Sequence, residues 1–232
     1  SCGIEGVQSI GGTWIDPATP STCTVQTNEQ GVAPKARCCT FPDGSVDSVA
    51  TITSTDPAAS DDISCPDGSV MTGCHVYFAS GTVNNLQGSY SGIADPTTLY
   101  SWTSTDNVCH GAAKSSATLV KVGAQCITFS DSYTLQCVTQ AAYVNEANFG
   151  QCDTGYTMTG CNTWTSGPSL DRWFVDDNQQ CYVRADNLAN LYANAICCQM
   201  QDATSTTTAS PITASPTTAA PTTAQPTAAP TC

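Results

Sequence analysis

Three observations predict an all-β, disulfide-stapled fold. Short runs rich in β-branched and aromatic residues, such as 49–53, 76–78, 117–120 and 127–129, are punctuated by Gly, Pro, Asn and Asp. That is the pattern of short strands joined by tight turns. Fifteen of the 232 residues are cysteine, a density typical of secreted modules cross-linked in an oxidising compartment. A cysteine pattern also repeats along the chain, and a repeat of this length reads as a tandem architecture.

Three anchors carry the repeat. CPDGSVMTGC at 65–74 returns as CDTGYTMTGC at 152–161. ARCCTF at 36–41, AQCITF at 124–129 and AICCQM at 195–200 close the units. Between them stands a Trp followed by an acid or amide cluster and a Cys: Trp102 with Asp106, Asn107 and Cys109, then Trp173 with Asp176, Asp177, Asn178 and Cys181. Cys2 to Trp14 aligns without a gap to Cys152 to Trp164, sharing a Thr-Trp pair. The chain therefore divides into cysteine-rich β modules at 1–45 (incomplete at its start), 46–131 and 132–201, and a tail at 202–232. The helix-like stretch 188–195 runs into a Cys-Cys anchor, and its end is read as a strand.

The tail has its own composition. Residues 203–232 hold 11 Thr, 3 Ser, 8 Ala and 5 Pro, with no charged and no aromatic residue. Such a segment has little to bury, and its prolines bias it toward extended polyproline II, about 90 Å long at ~3.1 Å per residue. Dense O-glycosylation is the usual fate of a Ser/Thr/Pro run in a secreted protein. The expected sites are Thr204, Ser205, Thr206, Thr207, Thr208, Ser210, Thr213, Ser215, Thr217, Thr218, Thr222, Thr223, Thr227 and Thr231. Pro211, Pro216, Pro221 and Pro226 recur every five residues, followed by Pro230. They are candidate hydroxyprolines, because the tail resembles algal and plant wall proteins in composition. No Asn-x-Ser/Thr sequon occurs; Asn107-Val-Cys109 is only the rare cysteine form.

Module three holds all six cysteine positions: Cys137, Cys152, Cys161, Cys181, Cys197 and Cys198. Six cysteines allow 15 pairings. Module two lacks the first position and has Ile127 at the last, which suggests that first and last are partners. Adjacent cysteines point to opposite sides of a strand, so Cys197 and Cys198 need different partners.

The order C, C-x8-C, Trp with Asp-Asn before Cys, then Ala-x-Cys-Cys resembles the resistin-like, cysteine-rich C-terminal domain of the LDL-receptor-targeting proprotein convertase. The resemblance covers 1–200. It implies three tandem six-stranded β modules bonded first to last, second to fifth and third to fourth. Carried over, it implies Cys137–Cys198, Cys152–Cys197 and Cys161–Cys181, with Cys65–Cys126 and Cys74–Cys109 in module two. In module one it implies Cys2–Cys38. There Gly11 stands at the third position and the first position would precede Ser1, so Cys23, Cys39 and Cys232 are left over. An odd total requires a free thiol or a bond to another chain. The economical expectation is that Cys232 of one copy bonds Cys39 or Cys23 of the next, a head-to-tail contact that generates filaments. The alternatives are partners in a longer precursor, or a local Cys23–Cys39 bond.

Chemistry-bearing constellations are sparse. The net charge of −13 with six Lys/Arg excludes a basic surface for nucleic acid or a polybasic membrane contact. No apolar run approaches the ~18 residues of a membrane helix. The chain opens Ser1-Cys2 without an initiator Met, as a processed extracellular product would. His75 and His110 each follow a cysteine; two imidazoles fall short of a metal site's three or four ligands. Asp61, Asp62, Asp67, Asp176 and Asp177 lack the calcium-loop spacing and read as solvated turns. Trp14, Trp164 and Trp173 read as core, and no phosphate loop or nucleophile elbow is present. No catalytic residue, cofactor or metal is expected.

The sequence thus points to a non-enzymatic, secreted structural glycoprotein, its partners being O-linked glycans and further copies of itself in a head-to-tail filament, appendage or wall. The resemblance offers a second class, the interaction domain of a secreted subtilisin-like protease, which the two histidines match poorly because that domain is histidine-rich. A carbohydrate-binding module is third.

Overall fold

The computed structural model describes residues 1–5, 11–27, 31–80, 86–91, 101–104, 107–113, 116–144, 148–165, 170–185, 191–202 and 230–232. Among them there are strands and turns and no helix, as the short β-rich runs predict. Among the described residues no helix is long and apolar enough to cross a membrane. Of the stretch 188–195 that runs into the last Cys-Cys anchor, residues 191–195 are extended, within the strand Leu191–Asp202, and 188–190 lie outside the described residues.

Two long strands organise the molecule. Strand β11 (Leu119–Phe129) lies between β5 (Val46–Thr53) and β7 (Ser69–Ser80). Strand β17 (Leu191–Asp202) lies between β12 (Tyr133–Val144) and β14 (Thr157–Thr165). The two arrangements share a register. Cys126 faces Met71, Gln125 faces Gly73 and Ala124 faces Cys74, while Cys197 faces Met158, Ile196 faces Gly160 and Ala195 faces Cys161. In both, the pairing skips one residue of the Met-Thr-Gly-Cys anchor, Thr72 or Thr159, which makes a β-bulge. The turn before each is also shared: Ser69 N–H donates to the Pro66 carbonyl and Tyr156 N–H to that of Asp153, both at 3.1 Å. Gly68 (φ 79°) and Gly155 (φ 92°) occupy the left-handed position that such a turn reserves for glycine. Asn107 earns its place in the anchor by holding β7 in both directions, accepting from Met71 N–H at 3.0 Å and donating to the Ser69 carbonyl at 2.7 Å.

Sheets cross the expected module boundaries. β1 (Cys2–Glu5) is sandwiched between β4 (Ala33–Ala36) and β15 (Leu170–Val175), which joins β16 (Cys181–Ala185) and β13 (Asn148–Gly150). β8 (Leu86–Ser91) links β10 (Val108–Ala113) to β14, with β6 (Ser60–Ser64) outside β10 and β9 (Ser101–Ser104) beside β12. The hairpin of β2 (Gly11–Ile15) and β3 (Cys23–Thr27) docks on β7 through the Gln26 amide. That amide accepts from Phe78 N–H at 2.8 Å and donates to the Phe78 carbonyl at 3.1 Å. One contiguous core results, with Ile4, Val76, Val122, Met158, Trp173, Val183 and Ile196 nearly inaccessible. Of the expected core tryptophans, Trp173 is in it, whereas Trp14 and Trp164 are half-buried, Trp14 lying 5.3 Å from the Tyr77 ring.

His75 is part of this core, 2% exposed, with Nε2 lacking a partner among the described residues. Its ring lies over Gly123, where a Cβ would stand well inside contact distance. Burial holds its pKa at about 3 rather than 6.5, because a charged imidazole would be stripped of water. The unfolded chain therefore binds a proton that the folded one refuses between these pH values. Stability contributed by neutral His75 is complete above pH 6.5 and is lost as pH falls toward 3. Chemical denaturation midpoints should fall over that window in the wild type, and His75→Phe should reduce the slope. An unchanged slope would show that His75 is not the group responsible.

Candidate functional site

The segment 36–40 gathers the features that sequence alone left unresolved. β4 delivers it alongside β1: Arg37 N–H donates to the Ser1 carbonyl and Ser1 N–H to the Arg37 carbonyl, at 2.9 and 3.0 Å. The last three residues of the chain lie against its far end. Thr40 and Thr231 exchange backbone hydrogen bonds at 2.9 and 3.1 Å, and Thr40 Oγ1 donates to the Thr231 carbonyl at 3.2 Å. Pro230 is buried, and its carbonyl accepts from Thr157 Oγ1 at 2.9 Å. The Cys39–Cys232 disulfide completes this strap.

All fifteen cysteines lie among the described residues, and fourteen form seven bridges. Cys65–Cys126, Cys74–Cys109, Cys137–Cys198, Cys152–Cys197 and Cys161–Cys181 join the partners that the resemblance implies. Module one differs. Cys2 bonds Cys23 rather than Cys38, because the β2–β3 hairpin brings Cys23 to 5.3 Å from Cys2 between Cα atoms. Cys2 stands opposite Ala36 in the β1–β4 ladder, so Cys38 is offset by two residues, a diagonal of ~7 Å that exceeds ordinary disulfide reach. Cys23 and Cys39 are therefore not left over, and Cys232 needs no second chain. The odd thiol is Cys38, exposed and unpaired. Pairing parity announced one such thiol; its position follows from the hairpin, which the repeat did not encode.

Two hollows flank this segment. One, of about 280 Å³, is lined by Ile15, Cys23, Cys38, Phe41, Val49 and Ile127, with Val49 53% exposed. The other, about 370 Å³, is charged: Lys35, Arg37, Asp176 and Asp177 line it together with Phe174, whose ring centre lies 5.9 Å from Lys35 Nζ. Asp176 accepts from Asn178 and Gln180 N–H at 2.9 Å and so shapes its turn. Arg37 donates to the Gln179 amide oxygen. Lys35 pairs with Glu5 at 2.6 Å, which raises its pKa.

The remaining expected features lie apart. His110 Nδ1 meets Asp62 at 2.6 Å on the β6–β10 pair, while His75 is in the core, so the two histidines serve different surroundings. Among the described residues no group of three His, Cys, Asp or Glu could hold a metal ion. Thr231 is exposed. The other thirteen hydroxyl sites, Thr204 to Thr227, and the four prolines Pro211, Pro216, Pro221 and Pro226 lie outside the described residues. No protein-family model matches the chain, and no curated protein matches it.

Alkylation of the denatured, unreduced monomer with iodoacetamide should add one group, on Cys38, by peptide mass mapping. Modification of Cys23 or Cys232 in its place would refute this pairing.

Proposed function

We propose that the chain is a secreted, non-enzymatic structural glycoprotein: a disulfide-stapled β head bearing an O-glycosylated Thr/Ala/Pro segment, assembling into an extracellular filament, appendage or wall. The observation that carries this reading is the strap. The uncharged segment 203–229 leaves the head at Asp202 and its far end is bonded back to the head through Cys39–Cys232. The chain's last residues are therefore an ordered part of the head, with paired backbone at Thr231 and a bridge at Cys232, and not a loose end. The matched registers of β7–β11 and β14–β17 support reading the head as tandem modules of one design, with 1–45 the divergent copy. Seven bridges suit a mechanical role, since each closed loop adds about 2–4 kcal/mol by restricting the unfolded chain, and they accord with an extracellular site.

Intact mass of the secreted protein, followed by mapping of 203–232, should show glycan on Thr and Ser of that segment, and negative-stain images of the same material should show filaments. A bare, monodisperse monomer at high concentration would refute the reading.

A further inference from the structure

Resting on that reading of a self-assembling subunit, we propose that Pro230–Cys232 is an exchangeable donor strand, which closes on Cys39 and Thr40 of a second copy with the same bonds that it makes within one chain. Three observations lead there.

The acceptor is a strand edge that requires a neighbour. Cys198 of the AICC anchor stands opposite Cys137 of β12, and Ile127 of the AQCI anchor opposite Val49 of β5. In the ARCC anchor that place is taken by Cys232: the Thr40–Thr231 antiparallel bridge sets Cys39 opposite Cys232, and the Cα–Cα distance is 4.1 Å, as in Cys137–Cys198. Cys137 and Cys198 are 61 residues apart, but Cys39 and Cys232 are 193 apart. The covering strand thus comes from the opposite end of the chain.

The strap's described hydrogen bonds run to Thr40 and Thr157 alone. Both belong to the head, and every copy of the head presents the same two residues. Exchange therefore conserves the contacts, which makes strand swapping a low-cost route to assembly.

The connector is long enough to reach outward. Thr157, which holds Pro230, faces Cys198, four residues along β17 from Asp202, about 13 Å at strand rise. The 27 intervening residues carry no charge, and prolines recur every five positions. A chain of that composition behaves as a semi-rigid spacer spanning up to ~84 Å when extended. Its two ends stand close together on one head, and its extended reach is several times that separation, long enough to place the far end on a second head. Donor and acceptor are different surfaces, so the contact propagates in one direction. The covalent step is ordinary thiol–disulfide chemistry: a disulfide oxidant of the secretory pathway first caps Cys39. The Cys232 thiolate then attacks the Cys39 sulfur, the capping thiolate leaves with the electron pair and takes up a proton, and two thiols have been oxidised for one disulfide reduced.

The test uses the full chain. Equal amounts of 14N- and 15N-labelled protein are reduced, refolded together at high concentration in a glutathione buffer and digested without reduction. Half of the linked peptide pairs containing Cys39 and Cys232 should be mixed-isotope; pairs of one isotope only would overturn the proposal. As an independent measure, the secreted protein should give a ladder on non-reducing electrophoresis that survives Cys38→Ser and collapses with Cys232→Ser. A ladder abolished by Cys38→Ser, or no ladder, overturns it. Mixed pairs without filaments in images would sink the filament reading alone, and filaments with unmixed pairs would sink strand exchange alone.

Discussion

A strand needs a neighbour on each side, and in this molecule satisfying that need for three Cys- or Ile-bearing anchor segments organises everything else. Strands β11 and β17 are flanked on both sides by long partners, and their buried faces supply Val122, Ala124, Ala195 and Ile196 to the core. The segment around Cys39 has the β1 side for a neighbour only as far as Arg37, which exchanges backbone hydrogen bonds with Ser1. Beyond that it is closed by the last residues of the chain. The strap is the solution to an edge that would otherwise present unpaired backbone groups to any passing strand.

Cross-linking fits the same constraint. A cysteine pair placed directly across two antiparallel strands fixes register as well as proximity, and register decides which face of each strand reaches the core. Cys137–Cys198 does this for β12 and β17; Cys39–Cys232 does it where only a few strap residues are available to pair. Two backbone hydrogen bonds contribute about 1–3 kcal/mol between them, too little to hold a chain end in place. The disulfide converts that weak contact into a permanent one. The pairs β1–β15 and β8–β14 carry the same requirement for neighbours across the expected module boundaries.

The anchors were legible for local reasons. CPDG and CDTG encode turns because a glycine is needed at positive φ, and Met-Thr-Gly-Cys encodes a bulge that recurs in the same register. Asn107 was visible as a member of a repeated cluster, but its role, holding the backbone of Ser69 and Met71, was not. His75 was invisible as a core residue: nothing in the sequence says that the strand face opposite it carries Gly123 and so leaves room for a ring. The pairing of the hairpin cysteine Cys23 was likewise hidden, because Gly11 stands where the expected repeat would place its partner and only the β2–β3 hairpin brings Cys23 to Cys2.

The sequence by itself determined the β content, the turns, the cysteine repeat and the existence of one odd thiol, because each follows from neighbours in the chain or from counting. Only the tertiary structure decided that the thiol is Cys38, that Cys2 takes Cys23, and that Cys232 returns to Cys39 across 193 residues. Every cysteine carries the same chemistry, so which two unite depends on which strands lie side by side, and that is a property of the packed sheets.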